Sequence, residues 1–251
     1  MMKRNIPNFI TCLNLFLGCL AVVFALRGWL GFAVYTVIVA AVLDFCDGFA
    51  ARLLKAYSLL GKELDSLADL ISFGLAPAAM MYYKFSQIIG SKINFSIYPS
   101  SLLWEFISFF PFIITVAAAL RLAKFNVDST QREHFRGLPT PGAALLICSL
   151  LIYVTRTPKI APILDTYYAI PAITLIISWL MVSNLPMFSL KMKTTKWRGN
   201  QLRFLFLFLS SVYVILMFLL EWHVSFTLLL ILLSYIAFSL TYILRTLQSK
   251  A

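Results

Sequence analysis

The chain has 251 residues, of which 61% are hydrophobic and only 12% are charged, whereas an average soluble domain is about 25% charged. This composition excludes a soluble globular protein and predicts an integral membrane protein, and its long apolar runs do not alternate as the strands of a membrane β-barrel do. The formal net charge of +11 fits attraction to anionic lipid headgroups. No nucleic-acid-binding pattern accompanies this charge, so no nucleic-acid partner is expected.

Hydropathy predicts eight membrane-spanning helices. In chain order they cover residues 9–26, 30–53, 64–83, 103–124, 143–154, 167–182, 202–220 and 224–247. The fifth is short for a span, and a start near Leu138 would lengthen it. The predicted fold class is therefore all-α, a polytopic transmembrane helix bundle that forms a single integral membrane domain over residues 1–251.

The distribution of basic residues predicts the orientation of these spans. If both termini are cytoplasmic, 16 of the 21 Lys and Arg residues lie on the inside and 5 lie on the outside. Cytoplasmic loops of membrane proteins carry such an excess of Lys and Arg. An even number of spans agrees with this orientation, which places the acidic segment 44–69 at the cytoplasmic ends of spans two and three.

Four aspartates lie inside spans two and three, although the whole chain has only ten acidic residues. Asp44 and Asp47 share one face of span two, and Asp65 and Asp69 share one face of span three, because each helical residue advances by about 100°. The link between the two spans is short, which predicts antiparallel neighbours whose acidic faces meet. Carboxylates inside an apolar helix are costly unless something compensates their charge.

The four carboxylates predict a metal site. Converging carboxylates repel one another unless cations lie between them. Two divalent ions roughly 4 Å apart would relieve this repulsion and form a two-metal site for phosphate chemistry. Hard oxygen ligands favour Mg²⁺ or Mn²⁺.

Small residues accompany the aspartates. Gly48, Ala51 and Gly61 would leave room for a substrate or a metal beside the backbone, and close helix–helix packing is the alternative explanation. Arg52 can pair with one of the acids, which lowers the cost of that acid without explaining the others.

The aspartate pattern resembles the signature of the CDP-alcohol phosphatidyltransferases in each of its eight fixed positions. These positions are Asp44, Asp47, Gly48, Ala51, Arg52, Gly61, Asp65 and Asp69. Further segments resemble the phosphatidylserine synthase branch of that family. They are IPNFITCLNLFLG (6–18), DSLADLISFGLAPA (65–78), AAALRLAKFN (117–126), FRGLPTPGAA (135–144) and LMVSN (180–184). The resemblance extends to about Lys196, and the last two spans carry little of it.

The resemblance implies a fold and an activity. It implies a six-helix catalytic core, placed here within residues 1–200, followed by two additional spans within residues 201–251. It also implies a homodimer in a bacterial-type inner or plasma membrane, with a cavity open to the cytoplasm and to membrane lipids. The implied reaction transfers the phosphatidyl group from CDP-diacylglycerol to the hydroxyl of L-serine, giving phosphatidylserine and CMP.

The resemblance also implies roles for individual residues. The metal ligands are Asp44, Asp47, Asp65 and Asp69, and Asp69 also serves as the base. The residues against the CDP group are Asn8, Thr11, Asp44, Gly48, Ala51, Arg52 and Gly61. The candidates for binding the serine carboxylate or a lipid phosphate are Arg121, Lys124, Asn126 and Arg136. For Arg121, Lys124 and Arg136, the usual excess of positive charge at the cytoplasmic ends of spans is an equally simple explanation. The bidentate geometry of arginine favours anion binding by Arg121.

Two other functions are compatible with parts of the pattern. The choice of acceptor lies outside the shared signature, so a transferase for glycerol phosphate, inositol phosphate or choline is the nearest alternative. A cation-coupled membrane transporter is the alternative from a different class, because intramembrane acids also mark ion pathways. A transporter predicts broken helices or paired repeats, and neither is found in the sequence.

Overall fold

The structure is a computed structural model that describes residues 2–92, 101–127, 137–159, 162, 165–185, 187 and 200–248. Within these residues it contains eight helices and no strand. They are α1 (Met2–Leu26), α2 (Leu30–Leu53), α3 (residues 59–92), α4 (residues 101–127), α5 (Thr140–Arg156), α6 (Ala169–Val182), α7 (Gln201–Leu219) and α8 (Val224–Gln248). The predicted all-α class and the predicted helices are confirmed.

Six of these helices are long and apolar enough to cross a membrane. They are Asn5–Leu26, Leu30–Leu53, Leu59–Ser91, Glu105–Val127, Gln201–Leu219 and Val224–Thr241. The other two, α5 and α6, are apolar but have only 17 and 14 residues. Helix α5 begins at Thr140, between the two starts that the sequence suggested. The chain is therefore an integral membrane protein with a helical bundle.

Two of the long helices change their winding partway along. Helix α3 is α-helical over Leu59–Asp69, π-helical over Leu70–Leu75 and α-helical again over Ala76–Lys92. Single π-helical turns occur frequently at functional sites, and this one begins directly after Asp69. Helix α4 contains a 3₁₀ turn, Phe110–Phe112, around Pro111, where proline removes one backbone donor.

Helix α3 is the central helix of the bundle. In its most apolar stretch 56% of the residues are buried, whereas the corresponding fraction is 6% for α7. No more than 1% of the surface is exposed for each of four large residues of this helix, namely Phe73, Met80, Met81 and Phe85. Helices α1, α4 and α5 pack around the π-helical turn, and α7 packs against α8 at the edge of the bundle. The apolar side chains on the outside of α7 suit contact with lipid tails.

Helix α1 lies very close to the π-helical turn. A Cβ atom on Gly18 would lie 2.9 Å from the Cα and the backbone nitrogen of Ser72, so only glycine fits there without a shift. The Ser72 hydroxyl donates a hydrogen bond of 3.0 Å to the backbone carbonyl of Asn14. The Asn14 side chain is fully buried and has no hydrogen-bond partner among the described residues. These contacts fix α1 against α3 one turn beyond Asp69.

Candidate active site

The link between α2 and α3 brings the two acidic helix faces together. It consists of residues 54–58, and Ser58 caps α3 by accepting a hydrogen bond of 2.9 Å from the Gly61 backbone N–H. A serine at this position satisfies one of the free donors at a helix start. The antiparallel arrangement that follows sets the aspartates of α2 beside those of α3. The start of α3, which favours negative charge, lies at the same end.

Three carboxylates form a compact cluster. One oxygen each from Asp44, Asp47 and Asp65 lies within 4.8 Å of the others. Asp47 is 5% exposed, and Asp44 and Asp65 are half-buried. Three like charges this close and this shielded from water repel strongly. Such a set of hard oxygen donors fits a divalent metal ion, so this cluster is a candidate metal centre.

Asp69 lies beside this cluster, one helical turn further along α3. Its carboxylate interacts electrostatically with Asp44, Asp65 and the guanidinium of Arg121. Its Oδ1 atom is buried and has no hydrogen-bond partner among the described residues. An ionised carboxylate oxygen without a donor is costly in a buried site. The arrangement therefore leaves one Asp69 oxygen free to accept a proton or to bind a cation.

A first cavity of about 200 Å³ opens beside the cluster between α1, α2 and α3. It is lined by Pro7, Asn8, Thr11, Asp47, Gly48, Ala51, Ala56, Tyr57, Ser58, Gly61, Lys62 and Asp65. No atom lies within 4 Å of the position that a Cβ on Gly48 would take, so this glycine leaves the space open. A Cβ on Gly61 would lie 2.8 Å from Asn8 Oδ1, so this glycine lets α1 approach α3. The two glycines therefore serve different purposes.

Thr11 touches the acidic cluster directly. Its hydroxyl lies 2.6 Å from Asp47 Oδ2 and 3.0 Å from the Pro7 carbonyl oxygen. The single hydroxyl proton serves one acceptor, and the charged, nearer carboxylate is the stronger one. Thr11 therefore holds one oxygen of Asp47 in place.

A second cavity of about 270 Å³ lies on the other side of α3, towards α4 and α5. It is lined by Lys62, Asp65, Ser66, Asp69, Arg121, Leu122, Phe125, Asn126, Pro139, Thr140 and Pro141. Arg121 Nη1 donates to Thr140 Oγ1 at 3.3 Å, and its Nε is buried without a partner among the described residues. Asn126 Nδ2 donates to Ser66 Oγ at 2.9 Å. This cavity combines two carboxylates, an ammonium group, a guanidinium and an amide in one small space.

The two cavities share Lys62 and Asp65. The aspartate cluster therefore lies between two separate binding spaces. Lys62 Nζ donates to the Asn126 backbone carbonyl at 3.2 Å, which ties the start of α3 to the end of α4. A cation between two cavities and beside an acidic cluster suits the binding of anionic groups in either one.

Most of the site residues proposed from the sequence line one of the two cavities or belong to the cluster. Two do not, because Arg52 and Lys124 are exposed and neither lines a cavity. Arg136 lies outside the described residues. The roles of all these residues stay predictions.

Lys62, Ser66 and Thr140 are among the lining residues that the sequence analysis did not select. Lys62 lies three residues before Asp65 and so shares its helix face, which is a signal that the sequence contained. Thr140 had no such signal, because its contact with Arg121 joins two different helices.

The family model described as CDP-alcohol phosphatidyltransferase matches residues 4–187 of the chain. The chain therefore belongs to the CDP-alcohol phosphatidyltransferase family and is a membrane-embedded phosphotransferase. The matched region contains the aspartate cluster and both cavities, and it ends before α7 and α8. This membership contradicts the alternative of a cation-coupled transporter.

Curated relatives carry a more specific name. A CDP-diacylglycerol–serine O-phosphatidyltransferase of Helicobacter pylori is 30% identical over 212 residues, which cover 83% of this chain and 81% of the relative. The enzyme of that name from Bacillus subtilis is 33% identical over 160 residues, covering 61% of this chain and 77% of the relative. The enzyme of that name from Mycobacterium leprae is 35% identical over 153 residues, covering 58% of this chain and 46% of the relative.

Proposed function

We propose that the chain is a phosphatidylserine synthase, which converts CDP-diacylglycerol and L-serine into phosphatidylserine and CMP. The observation that carries this proposal is the position of the aspartate cluster between two cavities. A transferase needs one space for its donor and one for its acceptor, with the reacting phosphorus between them. The names of the curated relatives support serine as the acceptor.

The first cavity suits the CDP group of the donor. Gly48 leaves space open beside the backbone, and Asn8, Ala51 and Gly61 line the rest of this cavity. The positive end of the α3 dipole favours a diphosphate at this position. Because the cavity lies between helices of a membrane bundle, the acyl chains can stay among lipid tails while the headgroup reaches the polar residues.

The second cavity suits L-serine. The guanidinium of Arg121 offers planar donors that match a carboxylate, and its Nε has no other partner among the described residues. The Asn126 side chain lies on the same cavity wall. Bound in this way, serine would direct its hydroxyl towards Asp69, which lines the same cavity.

Asp69 is the proposed base. Its free Oδ1 accepts the proton of the serine hydroxyl, and the serine oxygen forms a bond to the phosphorus that carries the diacylglycerol. The bond from that phosphorus to the bridging diphosphate oxygen breaks, and CMP leaves with this oxygen. A serine hydroxyl is a weak nucleophile near neutral pH, so a positioned base contributes typically 10²- to 10⁴-fold to the rate. Two divalent ions, Mg²⁺ or Mn²⁺, held by the four aspartates would neutralise charge on the departing CMP.

We further propose that both termini and the site face the cytoplasm, as the excess of basic residues on that side indicates. We expect a homodimer, with residues 1–200 forming the catalytic core and residues 201–251 adding two spans. Surrounding membrane lipids and the two substrates are the expected partners.

The test is an acceptor screen on the purified full chain in detergent–lipid micelles. CMP release and the lipid product are measured with CDP-diacylglycerol and one acceptor at a time: L-serine, glycerol phosphate, inositol phosphate or choline. Each acceptor is assayed with Mg²⁺, with Mn²⁺ and with a chelator. We expect phosphatidylserine to form only when L-serine and a divalent ion are both present. CMP release with another acceptor and none with serine would refute the assignment.

A further inference from the structure

Lys62 lies at the junction of the two cavities. Among the described residues, only Lys62 and Asp65 line both of them. The two residues are three positions apart in α3, so they share one helix face. Asp65 brings a carboxylate of the candidate metal centre to this junction, and Lys62 brings a positive charge.

The ammonium group of Lys62 is held on the acceptor side of the junction. Its Nζ donates a hydrogen bond of 3.2 Å to the backbone carbonyl of Asn126, and Asn126 lines the second cavity and not the first. Asn126 is in turn fixed to α3, because its Nδ2 donates to Ser66 Oγ at 2.9 Å. The Lys62 side chain therefore extends towards the end of α4 and the second cavity.

The charge of Lys62 is available to a ligand. An ammonium group has three donors, and the neutral Asn126 carbonyl takes one of them. Within the part of the chain that the structure describes, no carboxylate forms an ion pair with Lys62, not even that of Asp65 on the same helix face. The Lys62 side chain is exposed, so an anion that enters either cavity can reach the remaining donors.

The two phosphates of the donor are not equivalent in this arrangement. With CDP in the first cavity, the phosphate that leaves as part of CMP lies in that cavity. The phosphate that carries diacylglycerol must lie where the two cavities meet, within reach of the acceptor hydroxyl, and Lys62 and Asp65 line this place. The acceptor carboxylate instead suits Arg121, which lines the second cavity only. A cation at the junction therefore faces the phosphate that reacts.

We propose that Lys62 binds an oxygen of the phosphate that carries diacylglycerol and is transferred to the acceptor. This inference rests on the two-cavity arrangement of the proposed function and deepens it, because it assigns a protein contact to one of the two phosphates. Negative charge is spread over the oxygens of the transferred phosphoryl group during such reactions, so the ammonium group stabilises the group while it moves. CMP leaves without this contact.

The test compares two ligands that differ by this phosphate. CDP carries a second phosphate in the place of the one that bears diacylglycerol, and CMP lacks it. Binding of each ligand to the purified full chain is measured by titration calorimetry in detergent–lipid micelles with Mg²⁺. Lys62→Met removes the charge and keeps a long side chain. We expect it to weaken CDP binding about five- to tenfold and to leave CMP binding within about twofold.

Two further variants serve as controls. Lys62→Arg keeps the positive charge and should retain most of the affinity for CDP. Lys55→Met is the matched control, because Lys55 is an exposed lysine in the link between α2 and α3 and lines neither cavity. It should change neither affinity. In steady-state kinetics, Lys62→Met should raise the KM for CDP-diacylglycerol and leave the KM for L-serine within about twofold.

The outcomes separate this inference from the proposed function. An unchanged CDP affinity in Lys62→Met would overturn the inference, and so would an equal loss for CDP and CMP or a rise in the KM for L-serine alone. If the unmodified chain binds CDP no more tightly than CMP, the inference is also wrong. If the acceptor screen excludes L-serine while Lys62→Met still weakens CDP binding selectively, the proposed function fails and the inference stands.

Discussion

Thr11→Val tests whether the cluster depends on support from α1. Thr11 is 3% exposed, and its hydroxyl donates to Asp47 Oδ2 at 2.6 Å. Valine has nearly the same shape and lacks the donor, so the helix contact stays while one oxygen of Asp47 loses its partner. Asp47 is 5% exposed, so water has little access to replace the lost hydrogen bond. We expect weaker binding of divalent ions.

The magnitude follows from the type of bond that is lost. A hydrogen bond to a charged group contributes about 1.5–3 kcal/mol, and each 1.4 kcal/mol corresponds to about a tenfold change in affinity. Removing a group that supports a metal ligand typically costs about 10- to 100-fold in metal affinity or activity. We therefore expect the Mn²⁺ concentration for half-maximal CMP release to rise about 10- to 100-fold.

The assay is a Mn²⁺ titration of CMP release at saturating CDP-diacylglycerol and L-serine. Thr11→Ser is the control, because it keeps the hydroxyl, and its Mn²⁺ dependence should stay close to that of the unmodified chain. The sequence-based assignment of Thr11 to the CDP group makes a different prediction. If Thr11→Val raises only the KM for CDP-diacylglycerol and leaves the Mn²⁺ dependence unchanged, support of Asp47 is refuted.

Three further predictions concern the base, the acceptor cavity and the packing of α1. Asp69→Asn should abolish CMP release while the melting temperature stays near that of the unmodified chain, and near-normal turnover would exclude the base assignment. Asp165→Asn is the control and should keep activity, because Asp165 pairs with Lys84 away from the cluster. Arg121→Ala should raise the KM for L-serine at least tenfold, and an unchanged value in steady-state kinetics would exclude carboxylate binding. Gly18→Ala should lower the free energy of unfolding by about 1–3 kcal/mol, measured by thermal unfolding, because its Cβ would meet the α3 backbone at 2.9 Å. Gly31→Ala is the control, because its Cβ would lie more than 4 Å from any neighbouring atom, and it should leave the free energy of unfolding unchanged. Equal effects of the two substitutions would contradict the packing argument.

Hydropathy and the spacing of the aspartates are enough to predict the helices and the acidic faces. Hydrophobic runs long enough to span a bilayer predict helices whatever their neighbours are, because an unpaired backbone is too costly in lipid. The spacing of Asp44 and Asp47, and of Asp65 and Asp69, fixes each pair on one helix face, because helical geometry is local. The short link to α3 then limits how the two faces can meet. These features need no knowledge of the remaining helices.

Which side chains of other helices support the site depends on how the helices pack in three dimensions. The contact of Thr11 with Asp47 joins residues 36 apart in the chain, and that of Arg121 with Thr140 joins residues 19 apart. Such contacts depend on the rotation and depth at which two helices pack, and side-chain volumes along the whole interface set both. No local spacing in the sequence encodes them, which is why the acids were predictable and their partners were not.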